Sequence, residues 1–245
     1  MASECRLRAA ARLLQQAVTC AVEPFDFGPP RGLGLRCTQD VNIGEVLLEV
    51  PVAEAITSKW ARGQVAAELG VDAAVLPSTL TPQDFLCAWL LFERGKGLDS
   101  HYAPYIEHLP TVLQEMSAAY WPEDVLAELE GCEALVRLAD NRERVEDMHR
   151  SALEATSELD GDAGSKLREC FDKEGYIWAR CVLNSRQFEG SWCSASEATG
   201  VLMPPFELFN HDCALPAGQC LRRACNGQRD TVEVMALRNF SFGEE

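Results

Sequence analysis

Apolar positions change their spacing along the chain, and those changes mark out its elements. Leu7, Ala11, Leu14 and Val18 recur at the interval of one helical face and predict a first structural helix. A breaker-rich stretch follows from Pro24 to Gly34, holding Pro29, Pro30, Gly32 and Gly34. Two short apolar runs, Leu35–Thr38 and Val46–Val50, are separated by Asn42 and Gly44 and stopped by Pro51, which reads as an antiparallel hairpin or meander. The strongest helix signal spans Thr81–Gly95: Thr81 is placed to cap, Pro82 takes the first helical position and Asp84 favours the positive end of the dipole. Phe85, Leu86, Trp89, Leu90 and Phe92 surround most of that cylinder, so the helix is expected to be buried. The next segment, His101–Pro110, mixes aromatics with two prolines and is expected to be an ordered loop.

From Trp121 to about Leu159 the pattern is helical and acidic, with a partial stripe of Val125, Leu129, Val136, Val145 and Met148. Its charges read as a solvated face. Gly161–Gly164 breaks the run, and a second buried helix is predicted over Tyr176–Phe188, anchored by Ile177, Trp178, Val182 and Leu183. Thr231–Leu237 alternates as a strand and Asn239–Gly243 turns. Strands, then helices, then strands within one chain suggest a single α+β unit with a helical insertion.

Composition narrows the range of functions. The 245 residues suffice for one large domain or two small ones. Lysine and arginine number 22 against 38 aspartates and glutamates, a formal charge of −16 that argues against nucleic-acid binding and favours cationic partners such as lysine-rich protein segments. No run of about eighteen apolar residues exists, so no membrane-spanning helix is expected. The eleven cysteines are irregularly spaced and read mostly as reduced, buried thiols of an intracellular protein, cytoplasmic or nuclear. Arg6, Arg8 and Arg12, opposed by Glu4, have a faint organelle-targeting flavour, but the helical spacing of the same segment favours a structural helix.

Several chemistries fail on their residues. Arg31-Gly32-Leu33-Gly34-Leu35 lacks both a third glycine and a Gly-Lys-Ser/Thr ending, and it leads into a strand rather than a helix, so it matches no phosphate loop. Its glycines instead allow either a positive φ or close passage of the backbone past another group. His211, Cys213, Cys220 and Cys225 lack the two close cysteine pairs of a strong zinc signature, and no metal is expected. No cysteine has a neighbourhood that would activate it as a nucleophile. Asn210-His211, closing the apolar run Val201–Phe209, means little alone.

Four segments in order change that. Arg31-Gly32-Leu33-Gly34-Leu35-Arg36-Cys37-Thr38 runs on to Gly44-Glu45-Val46-Leu47-Leu48-Glu49-Val50-Pro51. Trp89-Leu90-Leu91-Phe92-Glu93-Arg94 precedes Tyr102-x-Pro104-Tyr105-Ile106-x-x-Leu109-Pro110. Trp178 leads to Ser185-Arg186-Gln187-Phe188. Leu208-Phe209-Asn210-His211 is followed by Phe242-Gly243-Glu244-Glu245. Together they resemble the SET-domain protein methyltransferases, and among these the Rubisco large-subunit methyltransferase-like branch. The resemblance covers nearly the whole chain.

The resemblance implies an α+β, β-rich fold of short antiparallel sheets interrupted by a helical insertion. It places an N-terminal helix at 1–23, a first SET part at 24–80, the insertion at 81–175 and a second SET part at 176–245. It implies methyl transfer from S-adenosylmethionine to a protein side chain, with an exposed lysine as the expected target and no nucleic-acid or membrane partner. Carried over residue by residue, Arg31, Gly32, Leu33, Asn210 and His211 contact the cofactor, and Ser185, Arg186 and Glu207 serve the substrate side. Glu207 stands where the family has aspartate. The family's catalytic tyrosine lies a few residues beyond the Gly-Glu-Glu turn, and none of Tyr102, Tyr105, Tyr120 and Tyr176 matches it. The expected reading is therefore a C-terminally truncated methyltransferase. A non-catalytic SET-like protein-binding module, or methylation of another residue such as histidine, stays open.

Overall fold

The computed structural model describes residues 2–28, 31–188, 200–210, 221–225 and 230–245. Its helices are α1 (Ala2–Leu14), α2 (Ser58–Leu69), α3 (Pro82–Lys96), α4 (Ala103–His108), α5 (Leu113–Met116), α6 (Glu123–Ala127), α7 (Glu133–Ala155), α8 (Gly161–Cys170) and α9 (Lys173–Arg186). Its strands are β1 (Thr19–Cys20), β2 (Val22–Asp26), β3 (Leu33–Cys37), β4 (Val46–Pro51), β5 (Ile56–Thr57), β6 (Val201–Leu202), β7 (Leu221–Cys225) and β8 (Asp230–Met235). Two compact units result, one built from Met1–Ile56, His101–His108 and Phe188–Glu245, the other from Thr57–Ser100 and Leu109–Gln187. Among the described residues no helix is long and apolar enough to cross a membrane.

The first unit holds an antiparallel sheet in the order β1-β4-β8-β7 and a separate ribbon of β2 with β3. Leu48 and Val50 of β4 face Val234 and Val232 of β8, and all four are buried. The hairpin expected between Leu35–Thr38 and Val46–Val50 does not form. β3 pairs with β2, and β4 pairs with β1 and β8. The apolar pattern marks strands correctly, but their partners lie elsewhere in the chain. Pro24, counted among the breakers, sits within β2, where a two-stranded ribbon leaves an edge that needs no further donor. The segment expected to be a loop at His101–Pro110 contains α4. Pro104 falls in its first turn, where the missing N–H is harmless, and Pro110 lies beyond its end. In α1 the buried face is Ala9, Ala10 and Leu13, whereas Ala11 is exposed and Val18 lies beyond the helix end, so the predicted stripe is rotated and shortened.

The second unit is helical. Thr81 caps α3 as expected: its hydroxyl accepts from the Asp84 N–H at 3.2 Å, and the Asp84 carboxylate accepts from the Thr81 N–H at 2.8 Å. The helix runs to Lys96, past the predicted stop at Gly95, because Gly97 takes the positive φ of 56° that ends it. Asp84 also accepts a 2.6 Å bond from the Tyr176 hydroxyl, which ties α9 to the start of α3. Trp60 of α2 meets Trp89 edge to face, with ring centroids 5.5 Å apart. Because α2 packs on α3, this unit begins at Thr57 and runs to Gln187, wider than the insertion expected at 81–175, and the strand-bearing unit reclaims His101–His108.

Cys5, Cys20, Cys37, Cys87, Cys132, Cys170 and Cys181 are free thiols. Cys37, Cys87 and Cys181 are buried as expected, whereas Cys5, Cys20 and Cys132 are exposed. Burial pushes the Cys181 thiol up to about 11, so it stays protonated at neutral pH.

Candidate functional site

The site is built on the turn between β2 and β3. The Phe27 N–H donates to the Gly32 carbonyl at 2.9 Å and the Gly32 N–H to Gly28 at 2.8 Å. Gly32 closes this loop with φ +67°, a conformation that disfavours any side chain. Gly34, two residues on, serves the other purpose. A Cβ there would lie 2.5 Å from Nδ2 of Asn210 and 3.1 Å from Oε1 of Glu245. The asparagine amide thus lies directly against the bare backbone of β3. Each glycine realises one of the two uses expected of the pair.

Asn210 is exposed, just after the short 3-10 turn Phe206–Leu208. Its Nδ2 donates to Glu245 at 2.7 Å, and Arg31 pairs with the other oxygen of the same carboxylate at 2.9 Å. Glu245 is delivered by the Gly-Glu-Glu turn, which is stitched to the end of β3: the Gly243 N–H donates to the Cys37 carbonyl and the Cys37 N–H to the Glu244 carbonyl, both at 2.8 Å. The Ser241 N–H and then Arg238 hold the Glu244 carboxyl below the usual carboxylate range.

The predicted residues therefore divide. Arg31, Gly32 and Asn210 come together, and Leu33 is half-buried at the start of β3. His211 lies outside the described residues, as do Cys213 and Cys220 of the rejected zinc set. Glu207 is 8% exposed in the same unit and accepts from the Tyr105 hydroxyl, whose oxygen is 2.9 and 3.0 Å from its two carboxylate oxygens. Ser185 and Arg186 close α9 in the second unit, where the Ser185 hydroxyl donates to the Cys181 carbonyl at 2.8 Å. Sequence reasoning missed the parts played by Glu245 and Tyr105. Both stand inside quoted motifs, but contacts spanning 35 and 102 residues leave no trace in local spacing.

An amide carrying donor and acceptor together, a guanidinium and open backbone suit a small zwitterionic ligand. The architecture around them, short antiparallel sheets with a helical body, is that of known solved domains. The crystal structure of the SET domain of LSMT bound to lysine and AdoHcy matches with a TM-score of 0.75 and 22% identity, over 98% of this chain and 52% of that one. Rubisco LSMT bound to AdoMet matches with a TM-score of 0.67 and the same identity, over 98% of this chain and 53% of that one. The chain belongs to the SET-domain family, whose model matches residues 32–245. Among curated relatives, the actin-histidine N-methyltransferase of Canis lupus familiaris is 26% identical over 216 residues, 87% of this chain and 35% of the relative. Protein SET DOMAIN GROUP 40 of Arabidopsis thaliana is 28% identical over 197 residues, 76% of this chain and 35% of the relative. The chain thus spans about a third of the length of these relatives.

Proposed function

We propose that this chain carries the S-adenosylmethionine pocket of a protein methyltransferase acting on a side-chain nitrogen. The observation that carries the reading is the contact of Asn210 with the Cβ-free face of Gly34, which joins two segments 176 positions apart at one place. S-adenosylmethionine would supply a methyl group that is already electrophilic on its sulfonium. The backbone of Arg31, Gly32 and Leu33 would line the pocket, Asn210 would hold the amino-acid end, and His211 joins them by resemblance. Positioning donor and acceptor in line is worth up to roughly 7–11 kcal/mol of the barrier. Ser185, Arg186 and Glu207 are assigned to the substrate side by resemblance alone.

Lysine is the first-choice target, and the net charge of −16 suits a lysine-bearing protein segment. The relatives named as actin-histidine N-methyltransferases favour a second reading, histidine. The two differ in proton chemistry. A free lysine, with a pKa of about 10.4, must lose a proton before attack, whereas a histidine near 6.5 is already mostly neutral at pH 7. Mass spectrometry of the methylated residue separates them.

Calorimetric titration with S-adenosylmethionine tests the pocket. Asn210→Ala should weaken binding by about 1–3 kcal/mol through loss of an amide partner. Unchanged affinity removes Asn210 from the site, and no binding to the unmodified chain removes the proposal.

A further inference from the structure

Glu207 and Tyr105 are both buried within the strand-bearing unit, and the Tyr105 hydroxyl lies 2.9 and 3.0 Å from the two carboxylate oxygens. The resemblance puts Glu207 on the substrate side, yet its carboxylate is engaged inside the unit rather than offered to an incoming chain. Burying a carboxylate is costly unless donors meet it, and leucine would fill the same space without that cost. A directional bond specifies one arrangement, whereas apolar contacts alone tolerate sliding.

Both ends of this bond are firmly mounted. Tyr105 stands on α4, whose last carbonyl, that of His108, accepts from Nε of Arg6 in α1 at 3.2 Å. Glu207 is the middle residue of the 3-10 turn Phe206–Leu208, between two buried apolar side chains. The Phe206 and Glu207 N–H groups donate to the Met203 carbonyl at 2.8 and 3.3 Å, and the Phe209 N–H donates to the Phe206 carbonyl at 3.2 Å. The turn lies against β3, and only Phe209 separates it from Asn210. The setting of the turn therefore decides where the Asn210 amide meets the bare backbone of Gly34.

We propose that Tyr105 and Glu207 are positioning residues for the methyl donor: their bond holds the Phe206–Leu208 turn in the setting that presents Asn210 to the pocket. The proposal rests on the reading of this site as an S-adenosylmethionine pocket, and it reassigns the Glu207 side chain from the substrate side. Without the bond the turn samples other settings. Only a fraction of molecules then presents Asn210 correctly, and the apparent donor affinity falls by that fraction.

Calorimetric titration of S-adenosylmethionine into the chain and its variants, each well below its melting midpoint, tests this. Tyr105→Phe keeps the ring and removes the hydroxyl, and Glu207→Leu removes the carboxylate. Each should weaken donor binding roughly tenfold, the change in an equilibrium that one hydrogen bond to a charged group governs. Glu207→Gln keeps an oxygen that accepts from Tyr105 and should recover most of that loss. The double variant carrying Tyr105→Phe and Glu207→Leu should bind no more weakly than either single variant, because both remove the same bond. Lower melting midpoints with unchanged donor affinity overturn the proposal, since they report a purely structural pair. A loss in Glu207→Gln as large as that in Glu207→Leu also overturns it, as do losses that multiply in the double variant; either would show Glu207 acting on a ligand through its own charge. Should Glu207→Leu fail to fold, Tyr105→Phe against Glu207→Gln makes the same comparison. Where the unmodified chain binds the donor and the variants match it, this proposal alone fails. Where the unmodified chain does not bind, the pocket reading fails and takes the proposal with it.

Discussion

Trp89→Ala should lower the melting temperature by roughly 6–20 °C, following from a cavity cost of about 3–5 kcal/mol and about 2–4 °C per kcal/mol for a chain of this size. Trp89 is 1% exposed in the middle of α3, and its indole stands edge-on to Trp60 at 5.5 Å, a pair worth about 0.5–1.5 kcal/mol beyond its burial. The site has little means of collapsing. Trp89 already borders a groove of about 180 Å³ shared with Gln64, Glu68, Phe92, Glu93 and Lys96. The rim is held by charge: Lys96 bridges Glu93 at 2.7 Å and Glu68 at 3.0 Å, and Lys166 joins Glu68 at 2.9 Å. Removing the indole would enlarge that groove rather than draw its walls together, so a loss in the upper part of the range is expected. Scanning calorimetry provides the check, and a drop of less than about 3 °C would show that Trp89 does not anchor this unit.

Gly34→Ala should have the opposite profile, with the fold intact and the ligand lost. The added methyl would meet Asn210 at 2.5 Å, well inside contact distance, and the amide would have to turn out of place together with its bond to Glu245. The obstacle is the tip of a side chain, and alanine is better suited to a strand than glycine by roughly 0.5–1 kcal/mol. Thermal stability should therefore stay within about 1 kcal/mol of the parent, while affinity for S-adenosylmethionine falls tenfold or more, about 1.4 kcal/mol or greater. Parallel melting curves and titrations separate the two effects. Retained affinity would mean that the position of Asn210 against β3 does not matter for binding.

What could be read in the sequence, and what could not, follows the range of the interactions. The start of α3 is legible because Thr81, Pro82 and Asp84 carry the whole cap within one turn. Gly32 and Gly34 are legible as backbone requirements, since only their own φ angle or missing side chain is at issue. The hairpin fails because alternation says that Val46–Val50 is a strand but not that Asp230–Met235 is its neighbour. The loop expected at α4 fails for a different reason: Pro104 stands in the first helical turn, where proline is compatible with a helix rather than a breaker of it. Helix α2 carries a capping Thr57 and a stop at Gly70 with φ +70°, but its alanines and polar residues give a weak apolar stripe. At the site, Asn210 was expected and Glu245 was not, because the second completes a carboxylate contact that only the folded chain creates.

The stitching of the Gly-Glu-Glu turn to Cys37 has a consequence for isotope exchange. The Cys37 peptide is bonded in both directions, its N–H to Glu244 and its carbonyl to Gly243. Deuterium can enter at these two amides only when the turn lifts from the strand as a whole, so they should exchange at one shared, slow rate. A hinge opening the whole segment would raise that rate at both amides together.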